Sequence, residues 1–332
     1  MHARRFRYFR FATSKLQANI DALLPNAGSG TTSAHASRLI PVNGWDISDL
    51  PDQSGRTIIV TGANSGLGAA TARALAGAGA QVIMACRDEV KARAVANTIG
   101  ERAQVRRLDL ADLSTIHEFA DSVERADVLI DNAGVMALPL RRTADGFEMQ
   151  VGTNYLGHFA LTGLLLDKIS DRIVTLSSVA HRIGRIDLAD LNWERRRYER
   201  WRAYGQAKLA NLMFARELQR RLTAAGSPKL SVAAHPGYAA TDLQSHTETF
   251  FDTVMVWGNR LLAQSAEMGA LPTLYAATTD VQPGGFYGPT GRSALRGFPG
   301  PSGSSAASKD EVAARRLWEL SEQLTKVTYR FR

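Results

Sequence analysis

From Arg56 onward, short runs of consecutive apolar residues alternate with longer stretches whose apolar positions recur at helical spacing. TIIV (57–60), QVIM (81–84), VRRL (105–108), DVLI (127–130), RIVTL (172–176) and LSVAA (230–234) read as strands. Residues 69–78, 92–99, 115–123 and 155–169 read as helices between them, and 309–326 as a final helix. Another helix carries YGQAK and continues as KLANLMFARELQRRL, placing Leu212, Ala215, Leu218 and Leu222 toward a core. Strand–helix alternation at this spacing predicts an α/β fold, a doubly wound parallel sheet covered by helices on both faces. Ligands in such folds bind beyond the carboxyl ends of the strands, so residues there are the first candidates for chemistry.

Two segments break the pattern. Residues 242–264 contain FFDTVMVWGNRLLAQ, which reads as an apolar substrate lid; docking to a partner or an amphipathic contact with a membrane surface are the alternatives. Residues 283–305, rich in Gly, Pro and Ser, read as a loop near the cleft.

A chain of 332 residues with 45% apolar composition can bury a large core. Its net charge of +8 raises the question of an acidic partner. The excess is concentrated at one end, where Arg4, Arg5, Arg7, Arg10, Lys15 and Arg38 stand against Asp21 alone. Residues 1–44 are therefore read as a basic, disordered extension, with a membrane-surface arm or targeting segment as alternatives, and 45–332 as one domain. Without a basic excess in the body, nucleic-acid binding is not expected, despite five arginines in RRRYERWRAYGQAKLA. No run approaches eighteen apolar residues, and Cys86 alone cannot form an internal disulfide. A cytoplasmic protein is expected, with peripheral membrane contact left open.

Thr61-Gly62-Ala63-Asn64-Ser65-Gly66-Leu67-Gly68 follows the first strand and opens an alanine-rich helix. Glycines let the backbone approach a ligand, and a helix N-terminus offers N–H groups and positive dipole to a pyrophosphate. The G-x-x-x-G-x-G spacing matches the common dinucleotide fingerprint only in part. The second strand ends in Cys86-Arg87, where an acid would bind the ribose hydroxyls of NAD; Arg87 suits a 2′-phosphate, which favours NADP, unless it is a plain solvated arginine. Asp109 and Leu110 stand where an adenine would lie, although Asp109 and Asp112 both compete to cap the next helix. Asn132-Ala133-Gly134 forms a turn that a flat cofactor could pass.

The fifth strand ends in Ser177-Ser178, and Tyr204 and Lys208 share one helix face at i and i+4. A tyrosine of ordinary pKa, about 10, is a poor acid or base at neutral pH unless a cation stabilises its phenolate, as Lys208 or an oxidised nicotinamide would. Tyr198 and Arg202 repeat the spacing, but a permanently charged arginine makes them a decoy, and the arginines before Ala203 read as a solvated insertion. His158, His181 and His235 lack acids or cysteines at ligand spacing, so no metal site is expected, and Met136 and Met149 read as packing residues.

In chain order, TGANSGLG, ACRD, DL at 109–110, NAG at 132–134, GTNYLGHF, SSVAH, YGQAK and HPG at 235–237 resemble the short-chain dehydrogenase/reductases, over about residues 45–332. The narrower resemblance is to the retinol-dehydrogenase-like branch and its bacterial relatives. It implies a Rossmann-type sheet, NADP as cofactor with NAD as the alternative, and hydride transfer between nicotinamide and a lipophilic alcohol/carbonyl pair. It makes Tyr204 the general acid/base and Ser178, the second of its pair, the residue that polarises the carbonyl. Lys208 would hold the nicotinamide ribose and lower the Tyr204 pKa, while Asn154 would support a water relaying protons to Lys208. Pro236, Gly237 and Thr241 would lie against the carboxamide. Asn64, Ser65 and Leu67 would join the three glycines in the phosphate cradle. Asp131 replaces an asparagine common in relatives, which is expected to alter a local hydrogen bond and leave the reaction unchanged. Homo-oligomers are usual in the wider family. The alternative is a nucleotide-sensing or scaffold protein that has lost the reaction; the presence of Asn154, Ser178, Tyr204 and Lys208 together favours the enzyme.

Overall fold

The computed structural model describes residues 44–237, 265–291 and 294–331, so the basic extension up to residue 43, Thr241 and the 242–264 lid lie outside the described residues. An eight-stranded sheet is built from β1 (Thr57–Thr61), β2 (Gln81–Cys86), β3 (Ala103–Arg107), β4 (Ala126–Asp131), β5 (Ile169–Leu176), β6 (Leu230–Ala234), β7 (Phe286–Pro289) and β8 (Pro299–Pro301). The strand order is β3-β2-β1-β4-β5-β6-β7-β8, parallel except for the antiparallel β7–β8 pair. The order reverses between β1 and β4, which opens a crevice at their carboxyl ends.

Period-two alternation sorts each strand between two cores. Ile58 and Val60 of β1 and Val128 and Ile130 of β4 face one core, while Ile59 and Leu129 face the other. That is why these strands read as unbroken apolar runs. The helices α1 (Gly66–Gly77), α2 (Glu89–Ile99) and α6 (Ala266–Thr278) cover the first face. The second face is covered by α3 (Leu113–Ser122), α4 (149–165) and α5 (Arg200–Ala224), with α7 (Glu311–Thr325) packed on them through Trp318. Helix α4 is composite: Met149–Val151 is α-helical, Gly152–Leu156 is π-helical and Gly157–Leu165 returns to α.

Three expectations are corrected. Residues 283–305 hold two strands, since β7 pairs with β6 through Ala233 and Phe286 and β8 pairs with β7. Their glycines and prolines suit short strands at this end of the sheet, where β8 forms the edge, and their order comes from backbone pairing that side-chain pattern does not reveal. The helix expected over 155–169 begins six residues earlier, and Ile169 opens β5. The half-polar start of β5, Ile169-Ser170-Asp171-Arg172, hid that boundary. The final helix runs from Glu311 to Thr325, capped by Asp310, whose carboxylate accepts the Ala313 N–H. Among the described residues, no helix is long and apolar enough to cross a membrane.

Candidate active site

At the first βα turn, Gly62 and Gly66 adopt positive φ, 66° and 49°. A Cβ on Gly68 would lie 2.2 Å from the Gly62 carbonyl oxygen and 2.6 Å from Asn132 Nδ2, so α1 can start this close to the sheet only with glycine there. Ser65 caps α1 without a side-chain hydrogen bond, whereas Asp88, Asp112 and Glu199 all close the N–H groups of their own helices. The first-turn amides of α1 are thus free of any cap from their own side chain, in a cradle of the kind that binds phosphate.

At the end of β2 the Cys86 thiol is buried and accepts the backbone N–H groups of Ala63 and Asn64, with its pKa pushed up to about 12 by burial. It supports the cradle from beneath as an inert thiol. Arg87 is exposed beside it, and the carboxylate that follows it in sequence, Asp88, caps α2 through the Lys91 N–H. Arg107, the register partner of Cys86 on β3, brings a second exposed guanidinium that sequence reasoning passed over. The competition between Asp109 and Asp112 is resolved by geometry. Asp112 caps α3 at the Ser114 N–H, while Asp109 turns its carboxylate back to the Ala111 N–H.

At the ends of β4 and β5 the reactive groups converge. The Tyr204 phenol faces the Ser178 hydroxyl, which favours its ionised form. Ser177 donates instead to the Lys208 carbonyl at 2.7 Å and anchors α5, so the two serines divide into one facing Tyr204 and one holding the helix. Lys208 Nζ lies 5.9 Å from the Tyr204 ring centre and donates to the Leu176 carbonyl at 3.0 Å. Asn154 in the π turn accepts the Val135 N–H at 2.7 Å and donates to the Val135 carbonyl at 2.8 Å. A Cβ on Gly134 would stand 3.2 Å from Asn154 Oδ1 and 3.6 Å from Lys208 Nζ, so both groups close on this glycine. Gly237, at φ 69°, follows Pro236 after β6, and its N–H is received by His235.

One electrostatic expectation is reversed. Burial pushes the Tyr204 pKa up to about 12, against the pull of the Ser178 hydroxyl, and Lys208 does not offset it. Burial also brings Lys208 down, to about 8. Desolvation opposes both charged forms more strongly than the pair's spacing favours them. Tyr204 is thus held as a neutral phenol, a proton donor, beside an amine that titrates near neutrality.

Residues 56–250 match the family described as short chain dehydrogenase. The chain belongs to that family. This dehydrogenase is 43% identical over 324 residues to human Retinol dehydrogenase 13, covering 91% of this chain and 94% of the relative. It is 38% identical over 293 residues to mouse Polyprenol dehydrogenase, covering 83% and 85% of the two chains. A crystal structure of an uncharacterised protein from Mycobacterium paratuberculosis is 54% identical, with a TM-score of 0.77 over 87% of this chain and all of that one. The family works with NAD or NADP. The residues present fit such a dinucleotide: the glycine cradle, the uncapped start of α1 and the Gly134 passage beside Lys208 lie along the carboxyl edge of the sheet.

Two features of the dehydrogenase's site were missed or undervalued in the sequence. His158 is fully buried, and burial lowers its pKa to about 3, so it is neutral. The Thr61 hydroxyl accepts the Asn132 and Ala133 N–H groups, and of the two acceptors for its own proton His158 Nε2, at 2.9 Å, lies closer than the Ile130 carbonyl, at 3.4 Å. Nδ1 then carries the ring hydrogen and donates to the Asn154 carbonyl at 3.0 Å. The Gly-rich turn is thereby tied to the π turn.

The second is the insertion before α5, expected to be solvated. Trp193 is buried, Arg196 lies 3.6 Å over its ring and contacts Asp187 and Asp190, and Tyr198 points inward. Asp187 and Asp190 pair with Arg196, while Arg195, Arg197 and Arg202 stay exposed, so the covered part of the insertion is Trp193, Tyr198 and Arg196.

Asp131 stands just before the NAG turn, at the end of β4. It is fully buried, with Oδ2 accepting from the Thr162 and Thr175 hydroxyls and Oδ1 without a partner. Burial raises its pKa to about 8. The folded carboxyl keeps its proton while the unfolded one loses it above about pH 4, so stability falls as pH rises from about 4 to 8. Asp131→Asn, which cannot ionise, is expected to raise the melting temperature relative to wild type by more at pH 8 than at pH 5. Thermal unfolding at the two pH values checks this, and an equal difference at both would exclude the buried carboxyl as its cause.

Proposed function

We propose that the protein is an NADP-dependent oxidoreductase that moves hydride between the nicotinamide and a lipophilic alcohol/carbonyl pair. The convergence of Tyr204, Ser178, Lys208 and Asn154 on one end of the sheet carries this reading. Bound NADP(H) supplies or accepts the hydride. In the reductive direction the neutral Tyr204 phenol gives its proton to the carbonyl oxygen, while Ser178 donates a hydrogen bond to the same oxygen and orients it. Lys208, titrating near neutrality, returns a proton toward Tyr204 and holds the ribose. Asn154, locked at Val135, supports the path by which that proton is renewed. Lipophilic substrates are favoured because the relatives are named for retinol and polyprenol, long isoprenoid alcohols.

The preference for NADP rests on Arg87, exposed at the end of β2 where no free carboxylate stands to bind ribose hydroxyls. Losing a hydrogen bond to a charged group costs about 1.5–3 kcal/mol, or roughly 10–100-fold. Arg87→Glu is therefore expected to raise the KM for NADPH by roughly 10–100-fold, with little change for NADH. Steady-state reduction with each nucleotide tests this; an equal effect on both would remove Arg87 from phosphate recognition. Activity itself is tested with retinal and a series of aldehydes and ketones, following the nicotinamide absorbance. NADPH binding without turnover of any carbonyl would instead support a sensor.

A further inference from the structure

We infer that Tyr198 is a positioning residue for this reaction: with Gln150 and Glu148, it fixes the 134–138 backbone against Lys208, so the 192–198 insertion acts on the site without touching substrate. The inference rests on the oxidoreductase reading above.

The pinned segment starts at Gly134, on which Asn154 and Lys208 close. Asn154 holds it at Val135 with two hydrogen bonds, Gln150 Oε1 takes the Ala137 N–H at 2.8 Å, and Tyr198 reaches the Leu138 carbonyl at 3.0 Å. Ala137 is buried and adopts φ 51°, a left-handed conformation that a non-glycine residue keeps only where its surroundings enforce it. Both outer anchors belong to one network. Gln150 Nε2 donates to the Tyr198 hydroxyl at 2.9 Å and to the Arg200 carbonyl at 2.9 Å. Glu148 is buried, accepts the Gln150 and Val151 N–H groups that start α4, and meets the Tyr198 hydroxyl at 3.0 Å. The single Tyr198 proton is thus shared between the Glu148 carboxylate, at the start of the helix that carries Asn154, and the Leu138 carbonyl, at the far end of the segment that borders Lys208. Its ring is fixed from the other side by Trp193, edge-on at 5.5 Å, beneath Arg196.

Tyr198→Phe keeps the ring on Trp193 and removes only the hydroxyl. Catalysis is steep in geometry, and a misplacement of 1 Å costs about 100-fold, so a partial release of 134–138 is expected to lower kcat about tenfold. The NADPH dissociation constant rises several-fold, the KM for the carbonyl stays unchanged, and the pH profile of kcat shifts because Asn154 and Lys208 no longer keep their relation. Gln150→Leu releases the same segment from its other anchor and gives the same signature. The double variant is no worse than the poorer single, since the two bonds act through one segment. A residue that only stabilises the fold would lower the melting temperature and leave kcat, its pH profile and NADPH affinity at wild-type values; that result in Tyr198→Phe overturns the inference. NADPH affinity is read by nucleotide fluorescence, independently of turnover. Should no form reduce any carbonyl, the reaction reading fails, whereas an unchanged dissociation constant in Tyr198→Phe still counts against the positioning role.

Discussion

Tyr204→Phe is expected to bind NADPH with near wild-type affinity and to lose carbonyl reduction by roughly 10²–10⁴-fold in kcat/KM, the contribution of a positioned general acid. The substitution deletes one oxygen from a buried ring. Ser178 keeps its role as cap, accepting the Ala180 N–H at 3.2 Å, so the end of β5 stays in place. What disappears is the proton. With the wild-type phenol held neutral by burial, its pKa near 12, Tyr204 enters the reductive cycle already loaded. A loss confined to kcat would identify it as the donor. A loss shared equally by kcat and nucleotide affinity would point to a disturbed pocket instead. Nucleotide titration beside steady-state kinetics separates the two.

Lys208→Met is expected to combine both losses, with kcat down by about 10²-fold or more as proton supply fails and NADPH bound roughly tenfold more weakly. Methionine fills a similar volume without charge, and the Leu176 carbonyl keeps the Asn211 amide at 2.9 Å as donor, so the fold has little reason to fail. Removing a buried ammonium also relieves desolvation, and the melting temperature is expected to hold or rise. The pH dependence gives a sharper signature. Since Lys208 titrates near pH 8, its ammonium is present below that value and lost above it, so wild-type reduction slows as pH rises through about 8. That alkaline limb is absent from Lys208→Met. Lys208→Arg does not restore it, because a guanidinium stays charged throughout and presents a planar fork in place of a compact ammonium. An identical limb in wild type and Lys208→Met would assign it to another group.

The sheet was legible because β1, β2, β4, β5 and β6 carry apolar runs that burial on both faces explains, and because most of the chemical motifs follow one of its strands. Chain order and strand ends bring the serine pair, Tyr204 and Lys208 forward as candidates, while the choice of Ser178 over Ser177 comes from the family resemblance. The last two strands, β7 and the edge strand β8, could not be read that way: FYGP and PGP carry turn residues, and only the pairing of β7 with β6 and of β8 with β7 gives them order. The π turn escaped notice for a related reason. It leaves the Gly157 N–H bonded to the Gly152 carbonyl five residues back, an offset that does not interrupt the apolar pattern of GTNYLGHF. Charge was the least legible property. Spacing suggests that Lys208 lowers the Tyr204 pKa, but desolvation depends on how completely the rest of the chain covers the pair. Tyr198 shows the same limit. It has the i, i+4 spacing of a decoy, yet its hydroxyl meets Leu138, Glu148 and Gln150, all distant in sequence.

The central claim is hydride transfer dependent on Tyr204, and deuterium tests it most directly. NADPH carrying deuterium at the transferable position of the nicotinamide is incubated with retinal and protein, and the alcohol is analysed by mass spectrometry. Wild-type protein is expected to place one deuterium on the carbinol carbon, and Tyr204→Phe to yield almost none while still binding the nucleotide. Deuterium transfer of equal extent in both proteins, or none from wild-type protein to retinal or to any aldehyde or ketone tested, would contradict the claim.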